Sequence, residues 1–250
     1  SSPTVSSSLD FAVATTLNSG TIDSLVVLSD SDGDGAQDLL IGASGYAGGD
    51  GGAWLVTGSD IGVASKITLN DTSWRFWGEG GGFGTTVQDA GDVDGDGISE
   101  ILVSAPDEAG LVYLFSSASL AFGEVLMAED ADVIWTGDST DAALGVSMTS
   151  LGDINADGLS DLALGSPGSA SSAGTVFMVH GSAKLQSGLV SEQSFAALEG
   201  DNSEDESGTS LAVGNLDGDD VQDLVIGAPM QITQAGRIHV ISGVDIVEGT

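Results

Sequence analysis

The chain has 250 residues, enough to bury a sizeable core as one repeat-built domain or two small ones. It carries 38 Asp and Glu against 4 Lys and Arg, and a net charge of -34 argues against nucleic acid and anionic membranes as partners. The absence of cysteine excludes disulfides and thiol chemistry, no segment reads as a membrane span or signal peptide, and Ser1-Ser2-Pro3-Thr4 reads as the start of a mature chain.

Helical periodicity is scarce. Short apolar or alternating runs recur between glycines and aspartates, which predicts an all-β fold. The N-terminal segment 7–20, with Phe11-Ala12-Val13-Ala14 and then Leu17 to Gly20, reads as a strand. Next comes Asp30-Ser31-Asp32-Gly33-Asp34-Gly35-Ala36-Gln37-Asp38, followed by Leu39-Leu40-Ile41-Gly42-Ala43-Ser44. The pattern returns in Asp92-Val93-Asp94-Gly95-Asp96-Gly97-Ile98-Ser99-Glu100, in Asp153-Ile154-Asn155-Ala156-Asp157-Gly158-Leu159-Ser160-Asp161 and in Asn215-Leu216-Asp217-Gly218-Asp219-Asp220-Val221-Gln222-Asp223. Each is followed by an apolar run and a small-residue turn, and their first residues lie 62, 61 and 62 positions apart.

Each nine-residue stretch sets oxygen side chains at positions 1, 3, 5 and 9, the way a short loop wraps a hard cation. The candidate side-chain ligands are Asp30, Asp32, Asp34 and Asp38; Asp92, Asp94, Asp96 and Glu100; Asp153, Asn155, Asp157 and Asp161; and Asn215, Asp217, Asp219 and Asp223. The position-7 carbonyls of Ala36, Ile98, Leu159 and Val221 can each add an oxygen. A helical calcium loop of the EF-hand type starts alike but closes on a glutamate at position 12. Here the last acid stands at position 9 with a buried strand directly behind it. Ca2+ suits a flexible all-oxygen loop better than Mg2+, so up to four Ca2+ ions, one per repeat, are expected. Four would return +8 and leave the net charge at about -26. Millimolar calcium outside cells then favours an extracellular or cell-surface protein.

A period near 62 residues marks a repeat architecture with four strands per repeat. In the second repeat, Thr85 to Ala90 leads into the loop and Ile101 to Ser104 leaves it; Leu111 to Phe115 and Val133 to Thr136 follow. Four antiparallel strands make one blade of a β-propeller, and the repeats run roughly 21–78, 79–138, 139–200 and 201–250. Fourth-strand segments are Trp74 to Gly78, Val133 to Gly137 and Phe195 to Gly200. The last repeat stops soon after its third strand, Arg237 to Ile241, so strand 7–20 is expected to complete the last blade and close a single four-bladed domain.

Phe83-Gly84, the loop after it and Ser104-Ala105-Pro106 resemble the FG-GAP repeat of the integrin α-subunit propeller and its bacterial relatives. Leu144-Gly145 with Gly165-Ser166-Pro167, and Ser207-Gly208 with Gly227-Ala228-Pro229, are variants of the same pair. The first repeat lacks the pair, with Ile22-Asp23-Ser24 standing near its place, and the fourth loop has Asn215 at position 1 and Asp220 where glycine is usual. The resemblance implies a calcium-binding adhesion or recognition module. Its ligand is expected to be a protein or a glycan, and the chain a monomer or homodimer without membrane insertion.

No residues form a catalytic set, so no enzymatic activity is expected. His180 and His239 read as incidental strand residues, without a Ser or Cys partner visible in the sequence. Trp74, Phe76 and Trp77 read as packing between blades, with a stacking platform as the other reading. The glycine-rich stretches Tyr46 to Gly52 and Gly78 to Gly82 read as permissive connections rather than phosphate-binding loops. Two further functions stay open: a structural or assembly element, with two chains forming an eight-bladed ring, and a polysaccharide-active domain.

Overall fold

A computed structural model describes residues 12–14, 21–63, 66–69, 72, 74–120, 123–230 and 235–248. β1 (Ala12–Ala14) precedes the first repeat, which holds β2 (Ser24–Leu28), β3 (Asp38–Ala43), β4 (Gly52–Val56), β5 (Lys66–Thr68) and β6 (Trp74–Trp77). The second repeat holds β7 (Val87–Gly91), β8 (Glu100–Ala105), β9 (Leu111–Phe115), β10 (Val125–Met127) and β11 (Val133–Thr136). The third holds β12 (Met148–Gly152), β13 (Asp161–Ser166), β14 (Thr175–Val179), β15 (Gly188–Leu189) and β16 (Ala196–Glu199); the fourth holds β17 (Ser210–Gly214), β18 (Asp223–Ala228) and β19 (Arg237–Ile241).

Each repeat folds into an antiparallel meander, ordered β2-β3-β4-β6, β7-β8-β9-β11, β12-β13-β14-β16 and β17-β18-β19. The second strands β3, β8 and β13 lie between two neighbours and are almost wholly buried, which is why their sequences are unbroken apolar runs. Corresponding residues fall in register: Ile41 faces Trp54, Val103 faces Tyr113, Leu164 faces Phe177 and Ile226 faces His239.

Hydrophobic clusters join consecutive sheets. Ala53 and Leu55 of the first meet Phe83, Val87 and Val103 of the second. Val112 and Leu114 of the second meet Leu144, Met148 and Leu164 of the third, and Val176 and Met178 of the third meet Leu224 and Ile226 of the fourth. Each fully buried side chain of this size stabilises the fold by roughly 1.5–3 kcal/mol. Trp74 and Phe76 belong to the first of these clusters, so they pack between sheets as the sequence suggests. Trp77 lies on the opposite face, its ring stacked on Tyr46 at 5.0 Å, and both rings meet Trp54 edge-on.

The structure departs from the expected strand plan at the sheet edges. β10 adds in parallel to β6, with Leu126 opposite Phe76, and β15 adds in parallel to β11. The first two sheets therefore have five strands, because the link between a repeat's third and fourth strands reaches back to the preceding sheet.

The expected interlock of the chain ends is not visible among the described residues. Ala12–Ala14 pairs in parallel with Lys66–Thr68, and among the described residues the last sheet ends at β19. The remainder of segment 7–20 lies outside the described residues. No hydrophobic cluster joins the first and last sheets among the described residues.

Candidate metal centres

The four acidic loops occupy one structural place, the connection from the first to the second strand of each sheet: β2–β3, β7–β8, β12–β13 and β17–β18. Their internal bonding is nearly identical. The position-1 side chain draws the chain around itself: Asp30 accepts from the amides of Gly33 and Gly35 at 2.7 and 2.8 Å, and Asp92 from Gly95 and Gly97 at 2.7 and 3.0 Å. Asp153 accepts from Gly158 at 2.9 Å, and Asn215 from Gly218 at 2.7 Å. The position-3 and position-5 carboxylates each accept from the amide two residues on, as in Asp94 from Asp96 and Asp96 from Ile98. These turns need left-handed backbone, supplied at position 6 by Gly35, Gly97 and Gly158 with φ of 89°, 90° and 91°. Asp220 takes that place in the fourth loop with φ 69°, a conformation that aspartate tolerates better than most residues.

The position-9 acid is the buried anchor. Asp38, Glu100, Asp161 and Asp223 are each 2% exposed or less. Each accepts from the position-2 amide: Ser31 to Asp38 at 2.9 Å, Val93 to Glu100 at 2.8 Å, Ile154 to Asp161 at 3.1 Å and Leu216 to Asp223 at 2.7 Å. In three loops the second oxygen accepts from a glycine amide beyond the third strand: Gly58, Gly181 and Gly243 at 2.8, 3.0 and 3.0 Å. Glu100, one methylene longer, makes no such bond, and its Oε1 is buried without a hydrogen-bond partner.

Charge accumulates where these groups meet. Carboxylate oxygens of Asp30, Asp32 and Asp38 lie within 4.8 Å of one another, as do those of Asp92, Asp94 and Asp96. No comparable triple occurs in the third or fourth loop among the described residues, where Asn155 and Asn215 replace an aspartate. Burial, reinforced by repulsion from Asp94, Asp96 and Asp92, pushes the Glu100 carboxyl up to about 8. Burial and neighbouring carboxylates likewise raise Asp94 and Asp32 above the usual range. Amide donors from Leu216 and Gly243 hold Asp223 below it.

A divalent cation fits the second loop on this evidence. A buried carboxylate oxygen without a donor, beside three aspartates whose oxygens converge, is an arrangement that a hard cation relieves. Bound there, the ion would supply positive charge in place of the missing donors. The fit is also good in the first loop and rests on fewer carboxylates in the other two.

Sequence reasoning missed one contributor. His180, read as incidental, brings Nδ1 to 3.0 Å from both Asp161 Oδ1 and Asn155 Nδ2, and its ring stacks on Phe195 at 3.7 Å. It follows the third strand directly, the column held by Thr57, Ser116 and Ser242 in the other repeats. In three repeats the residue after this column, Gly58, Gly181 or Gly243, donates its amide to the loop anchor, so the column's register was the available signal. His239 lies within β19, opposite Ile226, and away from this column.

Comparison with known proteins supplies the relationship. The FG-GAP repeat family matches residues 83–115, 145–177 and 207–241, leaving the first repeat unmatched. The chain is 37% identical to mouse integrin alpha-8 over 123 residues, 43% of this chain and 11% of that protein. It is 29% identical to Drosophila melanogaster integrin alpha-PS2 over 221 residues, 81% of this chain and 15% of that protein. Xenopus laevis integrin alpha-5 is 32% identical over 163 residues, 58% of this chain and 14% of that protein. The chain thus spans well under a fifth of the length of these relatives. Among solved structures, BBS1N in its complex with ARL6DN resembles 88% of this chain and 61% of that one at 12% identity and a TM-score of 0.40, too slight a likeness to carry a conclusion.

Proposed function

For a chain that is an FG-GAP repeat protein, integrin α-like in sequence, we propose a non-enzymatic extracellular recognition module built from four consecutive propeller blades and stapled by calcium. The ligands are those of the four loops: Asp30, Asp32, Asp34 and Asp38; Asp92, Asp94, Asp96 and Glu100; Asp153, Asn155, Asp157 and Asp161; Asn215, Asp217, Asp219 and Asp223; with the position-7 carbonyls of Ala36, Ile98, Leu159 and Val221. The observation that carries the reading is the buried, donorless Glu100 Oε1 beside converging aspartates, in a loop whose counterparts join the first two strands of every sheet.

Calcium in this reading is structural. It cancels repulsion among carboxylates that each loop holds close together, and it locks the link between the first two strands of each blade. Like charges at such distances cost about 1 kcal/mol per exposed pair in water, and more where burial lowers the dielectric. The rigid blades then present a surface to a protein or glycan. Their acidity favours a ligand with basic or neutral contact groups over an anionic one. No helix among the described residues is long and apolar enough to cross a membrane.

The reading is tested by surface binding to a glycan array and a panel of extracellular matrix proteins, in millimolar calcium and after chelation. Saturable binding in calcium that chelation abolishes supports it. Calcium-independent binding, or none to either class, removes the recognition role. Isothermal titration without stoichiometric calcium uptake removes the metal role.

A further inference from the structure

The second acidic loop has a wall that its own nine residues do not supply. In the second and third sheets that wall comes from two places: just after the third strand and just before the fourth. Backbone bonding makes the places equivalent. The Asp132 amide donates to Leu114 O at 2.9 Å, and the Phe195 amide to Met178 O at 2.9 Å. Leu114 and Met178 hold matching positions, opposite Leu102 and Ala163. The second sheet thus pairs Ser116 with Asp132 where the third pairs His180 with Phe195 by ring stacking at 3.7 Å.

These pairs stand against the position-3 residue of the loop. In the third sheet His180 lies 3.0 Å from Asn155. In the second sheet the position-3 residue is Asp94, which lines a cavity of about 250 Å3 with Ser116, Asp132, Ser182 and Leu185 among others. Asp132 Oδ2 accepts from the Ser116 amide at 2.8 Å, and no other donor meets its carboxylate among the described residues. The third sheet closes the far side and holds the loop in place. The Ser182 amide donates to Val93 O at 2.7 Å and the Ser160 amide to Asp92 O at 2.8 Å.

Asp94 and Asp132 are two carboxylates on one cavity without a counter-charge, since neither forms an ion pair among the described residues. Burial raises the Asp94 carboxyl, and repulsion from Asp96, Asp92 and Asp132 adds to the rise. An acid held beside like charges costs stability unless a cation compensates it. Asp94 also belongs to the group where such a cation fits: its oxygens converge with those of Asp92 and Asp96, in the loop whose Glu100 Oε1 is buried without a donor.

We propose that Asp132 is a further acidic member of the second loop's cation site, acting by its charge across the cavity while the loop supplies the ligands. The proposal rests on the calcium reading of that loop and adds to it a residue from just ahead of β11, outside the nine-residue motif. Attraction to a doubly charged ion falls off only with the inverse of distance, so contact is not required. The second loop thereby gains an acid that the third, with Phe195 in the same place, does not have.

Asp132→Asn keeps an oxygen for the Ser116 amide and removes only the charge. Calorimetric calcium titration of the full chain is expected to show one of the tighter ions weakened about fivefold and the rest unchanged. In the Glu100→Gln chain, whose second loop has already lost its ion, the same change should leave the titration unaltered, as a double-mutant cycle at one site requires. Thermal melts separate charge from architecture: Asp132→Asn should melt at or above the parent in chelator and below it in calcium. Unchanged calcium affinity overturns the proposal. So does an equal affinity loss in the Glu100→Gln chain, or a midpoint lowered alike in both buffers, which would leave Asp132 only a structural acceptor for Ser116. A parent chain that takes up no calcium removes the calcium reading itself and this proposal with it, a result distinct from equal binding by parent and variant.

Discussion

The amide of Val93 donates to Glu100 Oε2 at 2.8 Å, while Oε1 of the same carboxylate is buried without a donor. The pair ties the second residue of the loop to the ninth and leaves one oxygen for a cation. Glu100→Gln is therefore expected to divide the two conditions. In chelator the variant melts higher than the parent, because a neutral amide replaces a buried carboxylate facing three aspartates. In calcium it loses most of the second loop's metal stabilisation, which for a ligand at a hundredfold its Kd amounts to about 2.7 kcal/mol. Thermal melts of both proteins in both buffers check this.

The pH dependence without metal follows from the same group. Its folded value of about 8 lies above the ordinary 4.5, so the folded state binds more protons between those limits. Metal-free chain should accordingly lose this contribution as pH rises from about 4.5 to about 8, and keep it below that window. Saturating calcium should abolish the decline, since the ion favours the charged form. Denaturant midpoints across this window, with and without calcium, decide it; a metal-free stability that rises with pH through the window would contradict the assignment.

The loops should differ in affinity. The first two each converge three carboxylates, whereas Asn155 and Asn215 dilute the charge of the third and fourth. Calorimetric titration is expected to show two tighter ions and then weaker uptake, separated by about tenfold or more, as ligand charge tunes calcium loops. Asn215→Asp should raise the affinity of the fourth loop, read as a change in the weak phase alone.

Gly145→Ala tests the blade contact. At φ 88° an L side chain is strained, and the new Cβ would come within 2.8 Å of Ser104 Cβ and Val112 Cγ2 on the preceding sheet. Strain and overpacking together should destabilise the chain by about 2–4 kcal/mol, measured in saturating calcium. Gly97→Ala meets no atom within 4 Å and so isolates the backbone strain, which should cost less.

The chain by itself determined the repeat, the all-β strands, the four loops and the oxygen positions within them. These follow from local rules: alternation of apolar residues, Asx-type turns, and glycine where the backbone turns left-handed. Inter-sheet packing of Trp74 and Phe76 was also legible, since period-two alternation places them on one face. The tertiary structure decided what depends on which edges and columns meet. It set Ala12–Ala14 beside Lys66–Thr68, added β10 and β15 to preceding sheets, and brought His180 onto Asp161. Strand edges are chemically alike along their backbones, so a sequence can show that a strand exists without showing which edge it joins. Only the three-dimensional register makes that choice.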